Sequence, residues 1–225
     1  MLSSRIDPAL AKRPERLTLR GRYVTLAPLD LAEHGDALWK GTRGRENDPL
    51  WLYLFEGPFE ERAGFDRTFG AMAASEDPLY FAIIDNVSGH ASGRVSYLRM
   101  EPRHRCIEVG GILYTAALQK TRGATEAMYL MARQAFEDLG YRRYEWKCNA
   151  LNEPSRCAAL RLGFTFEGVF RQHMIVKGSN RDTAWFSMLD SEWPQRKRAF
   201  ERWLDPANFS AAGTQKRSLA SLATE

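Results

Sequence analysis

Hydrophobic residues change their spacing along the chain, and this change predicts which segments form helices and which form strands. Alternating apolar residues predict a strand at 22–26, and apolar residues three and four apart predict helices near 31–40 and around Phe65 to Met72. Three runs with strand periodicity follow one another, with turn residues between them: 80–85, 95–98 and 106–114. The first half of the chain is therefore predicted to form an antiparallel meander with two helices near its start.

The second half of the chain alternates between helix and strand patterns. The strongest helical pattern has its apolar face between Met128 and Leu139, and Gly140 follows it as a typical residue just beyond a helix end. Five further elements come after it: a strand at 144–148, a helix at 152–163, a strand from 164, a strand at 183–190 and a helix at 194–204. This order of strands and helices predicts an α/β sheet with parallel pairing.

Both ends of the chain lack the apolar periodicity of the middle. Residues 1–16 are rich in arginine and lysine and are predicted to form a flexible basic arm. Residues 206–225 are rich in small and polar residues, so we expect a disordered tail there, because little apolar area is available to offset its ordering entropy. The folded domain is therefore predicted to span residues 17–205.

Composition narrows the class of protein. With 225 residues, 44% of them hydrophobic, the chain is long enough to bury one good core. It contains no apolar run of membrane-spanning length, and its first residues lack the apolar core of a signal peptide, so we expect a cytoplasmic protein. Three cysteines at irregular spacing predict neither a disulfide framework nor a metal site. A net charge of +4 is compatible with nucleic acid or with an anionic small-molecule cofactor.

The candidate chemistry lies just before the strongest helix and at its start. Gly110 and Gly111 are adjacent inside a predicted strand, which is typical of a bulge, so this strand is expected to splay from its neighbour. The basic loop at 119–125 contains Gly123 and leads into the helix. Backbone N–H groups at such a helix start suit a phosphate or pyrophosphate, although a plain strand-to-helix turn would have the same spacing.

This loop resembles the acetyl-coenzyme A loop of the GNAT N-acetyltransferase superfamily, which has the pattern Q/R-x-x-G-x-G/A. The segment from Gln119 to Ala124 matches the pattern at its first and last positions and departs from it at the middle glycine, where Arg122 stands. The resemblance covers about residues 17–190 and is strongest to the branch of ribosomal-protein-alanine acetyltransferase-like proteins. At this departure, the charge of Arg122 could add a charge-assisted hydrogen bond to a phosphate.

The resemblance also implies a fold and a cofactor. The fold is a mixed α/β sheet, in which an antiparallel N-terminal meander is joined to parallel, splayed central strands. The cofactor is acetyl-CoA, with no metal. The implied cofactor-binding residues near the loop are Ile112, Leu113, Gln119, Lys120, Thr121, Arg122, Gly123, Ala124 and Thr125.

A second block, residues 152–164, is similar to the branch's N-x-x-S helix that ends in Gly-Phe. Asn152, Ser155 and Gly163 would also serve any helix as its cap, a first-turn residue and its end. The resemblance implies that Asn152 bonds the pantetheine arm, that Arg156 belongs to the cofactor site, and that Ser155 or a water protonates the departing thiolate. Many members of the superfamily have a tyrosine acid where this chain has Ala159.

The reaction needs a proton acceptor, because an amine attacks a thioester only when it is neutral. Glu108, just before the glycine pair, is the candidate base, and Glu167 or water are the alternatives. Glu108 could also be a solvated partner of Arg103 or Arg105. We expect direct transfer in a ternary complex, with backbone N–H groups near Ile112 holding the oxyanion. A cysteine nucleophile is disfavoured, because no histidine is near a cysteine in the sequence.

The predicted acceptor is a primary amine, on a protein N-terminus or a small molecule. Trp51, Tyr53 and Phe55 are the candidate wall of its groove, although these rings could instead seal the core. The sequence therefore predicts an acetyl-CoA-dependent N-acetyltransferase, and the alternative is a non-catalytic acyl-CoA sensor or protein-interaction module of the same fold. Nucleic acid binding ranks low, because the basic clusters lie at the chain ends. A homodimer is left open.

Overall fold

A single mixed sheet of eight strands organises the computed structural model, which describes residues 8–223. The strands are β1 (Leu19–Arg20), β2 (Val24–Pro28), β3 (Leu79–Asp85), β4 (Ala91–Glu101), β5 (Cys106–Tyr114), β6 (Arg143–Asn149), β7 (Thr165–Val176) and β8 (Ser179–Leu189). The helices are α1 (Leu31–Thr42), α2 (Arg62–Ala74), α3 (Arg122–Arg133), α4 (Glu153–Arg161), α5 (Trp193–Leu204) and α6 (Leu219–Ala223). Short 3-10 helices lie at Arg45–Trp51 and Pro206–Asn208, and a π-helical turn at Gln134–Asp138 extends α3.

The strand order is β1-β2-β3-β4-β5-β6-β8-β7, which confirms the predicted antiparallel meander and the parallel central pair. The pair β5–β6 is parallel, whereas the other neighbouring strands are antiparallel. Parallel pairing beyond β6 was expected and is not found, because β8 lies between β6 and β7. Lys177 and Gly178 join β7 to β8 with φ angles of 49° and 74°, and two adjacent residues with positive φ make the tight turn of an antiparallel hairpin.

The two faces of the sheet carry two separate cores. Phe81 and Ile83 of β3 lie in the larger core, and Ala82 between them lies in the smaller one, as the two-residue period of a strand requires. Helices α3 and α5 cover the larger core, and α1 and α2 cover the smaller one. Among the described residues, we find no helix with the length and apolarity needed to cross a membrane.

A buried carboxylate fixes the start of α3 on the sheet. Glu126 accepts hydrogen bonds from the backbone N–H groups of Arg22, Tyr23 and Val24, at 2.8, 2.6 and 2.8 Å. Bonds from backbone donors to an ionised acceptor are among the stronger hydrogen bonds in proteins. The first turn of α3 is therefore held against β2, and this contact determines where the loop before α3 can lie.

The two ends of the chain pack on the domain wherever the structure describes them. Residues 1–7 of the expected basic arm lie outside the described residues, but the N–H of Lys12 donates to the carbonyl of Leu139 at 2.9 Å. In the segment expected to be a disordered tail, α6 buries Leu219 and Leu222 next to α5. The tail's average composition hides these leucines, which are three residues apart and so share one helix face.

Candidate active site

The parallel pairing of β5 and β6 stops halfway along the two strands. Their register runs from Cys106 opposite Arg143 to Val109 opposite Trp146. Beyond that pair, β5 continues over residues 110–114 and β6 over 147–149 with no register pair between them in the described chain. We call this gap the wedge. It confirms the splayed strands predicted from the glycine pair, and it leaves two strand edges facing each other without a partner.

A β-bulge explains why β5 leaves its neighbour here. In the β4–β5 register, Arg94 pairs with Leu113 and Ser96 pairs with Gly110, so one residue of β4 faces two residues of β5. Gly111 has a φ of 58°, and an added Cβ would lie 2.9 Å from the Ser96 hydroxyl oxygen. Only glycine fits both the backbone angle and the space at this position. Ile112 and Leu113 follow the bulge and so lie along the wedge.

A buried arginine braces the bulge from the side of α2. The Arg94 guanidinium donates to the carbonyl of Gly111 at 2.8 Å and forms an ion pair with Glu56. The rings of Phe69 and Tyr80 each lie 5.3 Å from it. Arg94 therefore ties the segment after the first 3-10 helix to the backbone of the wedge. No sequence motif indicated a role for Arg94, which directly precedes the predicted strand at 95–98.

The loop before α3 presents free backbone donors, as the sequence predicted for an anion site. Thr121 caps α3, because its Oγ1 accepts from the N–H of Ala124 at 3.1 Å. The N–H groups of Arg122 and Gly123 have no acceptor among residues 8–223. Gln119 folds back, and its Nε2 donates to the carbonyl of Tyr114 at 3.3 Å. This helix start can bind an anion through two backbone N–H groups and the helix dipole.

The side chains of Arg122 and Thr125 make contacts within the protein. The Arg122 guanidinium, for which we expected a phosphate, lies between the rings of Tyr23 and Phe209, at 4.8 and 4.7 Å from their centroids. The hydroxyl of Thr125 accepts from Arg161 Nη1 at 3.1 Å. Lys120 is exposed and has a φ of 59°. The backbone N–H groups of Arg122 and Gly123 are thus the donors of this loop that are available to an anion.

Helix α4 brings its first turn to the narrow end of the wedge. Asn152 caps α4 by accepting the N–H of Ser155 at 3.1 Å, and its Nδ2 makes no hydrogen bond within the described chain. The Ser155 hydroxyl accepts from Nε1 of Trp146 at 3.0 Å, and Trp146 is the last residue of β6 paired with β5. Arg156 Nη1 reaches the carbonyl of Ala150 at 3.4 Å. Asn152 and Ser155 therefore lie where the strands separate.

Glu108 is buried beside the wedge and is ion-paired. Its carboxylate lies 2.6 Å from Arg99 Nη1 and 2.9 Å from Lys147 Nζ, and its side chain is 4% exposed. The solvated pairing with Arg103 or Arg105, which the sequence left open, is not observed. Glu108 occupies the face of the sheet opposite to Val109, one residue before the strands separate.

Glu167, the alternative base, lies on β7, which β8 separates from β6. Arg143 donates to both of its carboxylate oxygens, at 2.8 and 2.6 Å, and the Ser187 hydroxyl donates to it at 2.6 Å. The Arg143 bonds lower the pKa of Glu167 to about 2, so this carboxylate has little affinity for a proton at neutral pH. Strand β8 lies between β6 and the strand that carries Glu167, and the Arg143 that holds its carboxylate pairs with Cys106 at the closed end of β5–β6.

The three aromatic residues predicted as an acceptor wall have three different environments. Trp51 is buried in the smaller core, where its Nε1 donates to the carbonyl of Thr42 at 3.2 Å, so it takes the core role left open for it. The hydroxyl of Tyr53 donates to the carbonyl of Leu151 at 3.0 Å, next to α4. Phe55 is 55% exposed. Tyr53 and Phe55 are therefore the two predicted wall residues that are not buried in the core.

The thiols are poorly suited to nucleophilic attack. Burial raises the pKa of Cys148, and a hydrogen bond to Glu153 raises the pKa of Cys157. Both thiols therefore stay protonated at neutral pH. Between residues 8 and 223, no three His, Cys, Asp or Glu side chains come together as a metal site would need.

Comparisons with known proteins agree with this geometry. The family described as "Acetyltransferase (GNAT) domain" matches residues 28–165. A GCN5-related N-acetyltransferase from Brucella melitensis, known from its crystal structure, is 46% identical, with a TM-score of 0.95 over 96% of this chain and 98% of that one. A Bacillus subtilis (strain 168) protein named "Putative ribosomal N-acetyltransferase YdaF" is 30% identical over 110 residues, which span 48% of this chain and 59% of that relative.

A more distant structure carries a ligand. The microcin C7 self immunity acetyltransferase MccE, solved in complex with acetyl-CoA and AMP, is 21% identical. It has a TM-score of 0.61, and the match covers 75% of this chain and 93% of that one. At this identity the likeness concerns the fold, and the fold is the one described above.

Proposed function

The chain belongs to the GNAT acetyltransferase family, and from this premise we propose that it transfers the acetyl group of acetyl-CoA directly to a primary amine. The observation that carries the proposal is the wedge, because its two unpaired strand edges can accept the pantetheine arm as an extra strand. The free N–H groups of Arg122 and Gly123 add a pyrophosphate site at the start of α3. Acetyl-CoA supplies an activated acyl group, and the chain supplies binding and orientation.

The residues around the wedge fit this cofactor. The backbone at Ile112 and Leu113 would bond the arm and polarise the thioester carbonyl, because these residues follow the bulge on the open edge of β5. The free amide of Asn152 would donate to a carbonyl of the arm. Ser155, next to the point where the strands separate, would protonate the departing thiolate.

Glu108 is the base in this proposal. A protonated amine must lose its proton before attack, and reference pKa values of about 8 for an α-amine and about 10.4 for lysine make this step necessary at pH 7. Glu108 lies beside the wedge on the face opposite to the larger core, whereas β8 separates Glu167 from β6. Its ion pairs with Arg99 and Lys147 keep the carboxylate in place. Because the side chain is buried, a water would relay the proton.

The acceptor stays a prediction at the level of a primary amine. The name of the Bacillus subtilis relative supports including protein N-termini among the acceptors to be tested. The cytoplasmic location and the homodimer also stay predictions. An acyl-CoA sensor of the same fold remains the rival function, because Ala159 stands where many family members have a tyrosine acid.

One experiment separates the enzyme from the sensor. The protein is incubated with acetyl-CoA and a panel of peptides and small amines, and free CoA and acetylated products are measured by thiol assay and mass spectrometry. An enzyme releases CoA and acetylates at least one amine, and Asn152→Ala weakens acetyl-CoA binding. If acetyl-CoA raises the melting temperature but no amine is acetylated, the sensor is the better description.

A further inference from the structure

Arg181 is a buried cation for which the described chain provides no polar partner. It lies on β8 and is only 7% exposed. Its Nε is fully buried without a hydrogen-bond partner, and no ion pair or hydrogen bond joins its guanidinium to any residue from 8 to 223. The contact it makes is with Phe55, whose ring centroid lies 5.1 Å from Cζ. Burying a charge without a partner is costly, so an anion bound beside Arg181 would stabilise it.

The register of the strands places Arg181 on the face where an acceptor would arrive. Thr183 pairs with Asn149, the last residue of β6, and Arg181 lies two residues beyond it on the same face of β8. Trp185 belongs to this face too, and the Lys147 ammonium lies 3.9 Å from its ring centroid. Since Lys147 is the partner of Glu108, the candidate base and Arg181 share one face of the sheet, with Arg181 at the open end of the wedge.

The charges near Arg181 are already neutralised by one another. Three cations and three carboxylates alternate along this face in one ion-paired row: Arg99, Glu108, Lys147, Glu145, Arg143 and Glu167. Arg94 is paired with Glu56. Asp182, adjacent in sequence, accepts from the N–H of Gln172 and from Asn180. Arg181 is therefore left with one uncompensated positive charge.

The pKa values of Arg143 on β6 and Arg181 on β8 shift in opposite directions, because only Arg143 has ion-pair partners. The hydrogen bonds that Arg143 donates to Glu167 and Glu145 raise the pKa of its guanidinium above the usual value. Burial instead lowers the pKa of Arg181, and the more distant attraction of Cys148 and Glu108 does not reverse this shift, which is the direction expected for a cation that has lost water and has no ion-pair partner. A bound anion would supply the negative charge that no described residue brings to Arg181 as an ion-pair partner.

We propose that Arg181 binds a carboxylate of the acceptor, so that the preferred substrates are amines that also carry a carboxylate. The assignment rests on the proposed acetyl transfer and adds the substrate class. A guanidinium offers paired donors that match the two oxygens of a carboxylate. One free positive charge balances one negative charge, which favours a carboxylate over a dianionic phosphate. Phe55, beside Arg181 and exposed, would pack against the aliphatic part of the same acceptor.

Matched pairs of acceptors test this assignment. Glycine, β-alanine and γ-aminobutyrate are each compared with their carboxamides, and a peptide beginning Ala-Glu is compared with one beginning Ala-Gln. Phosphoethanolamine is the phosphate probe. The proteins are the wild type, Arg181→Gln, Arg181→Lys and, as a matched control on the exposed edge strand, Arg171→Gln. The readouts are kcat/KM for each amine and KM for acetyl-CoA.

For at least one pair, the wild type should prefer the carboxylate by about tenfold or more, the size expected of a hydrogen bond to a charged group. Arg181→Gln should reduce this preference to near unity, Arg181→Lys should keep part of it, and Arg171→Gln should keep all of it. KM for acetyl-CoA should change by less than about twofold in every variant, because Arg181 lies on the acceptor face.

Three results would overturn the assignment. The wild type could acetylate carboxylates and carboxamides equally, Arg181→Gln could slow both members of each pair equally, or phosphoethanolamine could exceed every carboxylate. In all three cases acetyl transfer itself stands, because amines are still acetylated. Absence of CoA release with every amine would overturn the proposed function and this assignment together.

Discussion

Replacing Gly123 with alanine tests how the start of α3 is held in place. An ideal Cβ at Gly123 would lie 2.7 Å from Cγ1 of Val24, about 0.7 Å inside the shortest ordinary contact. Val24 cannot move away easily, because it is fully buried, β-branched and bonded through its N–H to Glu126 at 2.8 Å. The added methyl group therefore pushes the first turn of α3 away from β2.

The size of the effect follows from two opposing terms. Overpacking a well-packed core costs about 1–3 kcal/mol, and the helix preference of alanine over glycine returns about 1 kcal/mol at most. Gly70 in α2 is the matched control, because a Cβ there would meet Leu31 Cδ2 at an ordinary 3.7 Å. Gly70→Ala should be neutral or stabilising. Gly123→Ala should be less stable than Gly70→Ala by about 1–3 kcal/mol, the overpacking cost alone.

Urea denaturation gives the free energy of unfolding of both variants, and isothermal titration calorimetry gives their affinity for acetyl-CoA. Because Gly123 carries one of the two free N–H groups, Gly123→Ala should weaken acetyl-CoA binding and Gly70→Ala should not. In a double-mutant cycle, Val24→Ala should make Gly123→Ala less harmful, with a coupling free energy of about 1 kcal/mol or more. Equal stability of the two glycine variants, with no coupling to Val24, would refute this account of the loop.

Two further predictions concern carboxylates. Glu108→Gln should lower kcat at neutral pH by about 100-fold or more while acetyl-CoA affinity stays within about twofold; an unchanged pH-rate profile would assign proton removal to water. Glu167 has a pKa lowered to about 2 by Arg143, so it stabilises the folded state above the unfolded pKa of about 4.3, and this contribution is lost as the pH falls toward 2. The carboxylate is partly exposed, so after allowance for solvent screening Glu167→Gln should cost about 1 kcal/mol at pH 6 and almost nothing near pH 2, measured by urea denaturation. A cost that stays constant from pH 6 to pH 2 would contradict the ion pair as its cause.

Local signals predicted most of the fold, and non-local choices accounted for the errors. The caps at Thr121 and Asn152 and the glycines at the bulge act within a few residues, so a sequence pattern can reveal them. The position of β8 between β6 and β7 depends on which strands pair across the sheet, and the periodicity within one strand does not reveal its partners. The average composition of residues 206–225 predicts disorder, whereas two leucines three residues apart are sufficient to dock a short helix.

The site shows the same division between local and distant contacts. The backbone donors of the loop and the helix caps follow from the sequence, because a helix start needs them wherever it occurs. The alternative partners of Glu108, Arg103 and Arg105, were suggested by nearness in sequence, whereas the charged residues that reach it come from β4 and β6. No sequence pattern indicated a role for Arg181, because only the folded sheet shows that no carboxylate forms an ion pair with it.

Arg122 stands where the family pattern has a glycine, and it packs against the C-terminal segment, so each helps to hold the other in place. Arg122 is the first residue of α3, so its side chain begins beside the backbone N–H groups that are proposed to bind an anion. Tyr23 of the strand region and Phe209 of the C-terminal segment enclose its guanidinium, and cation–π contacts of this kind contribute about 0.5–1 kcal/mol each at exposed sites. Phe209 also packs edge-on against Trp203 of α5, at 5.1 Å between centroids. The same contacts therefore help to order the C-terminal segment and hold Arg122 to one side, so that the backbone N–H groups of the loop stay accessible to an anion.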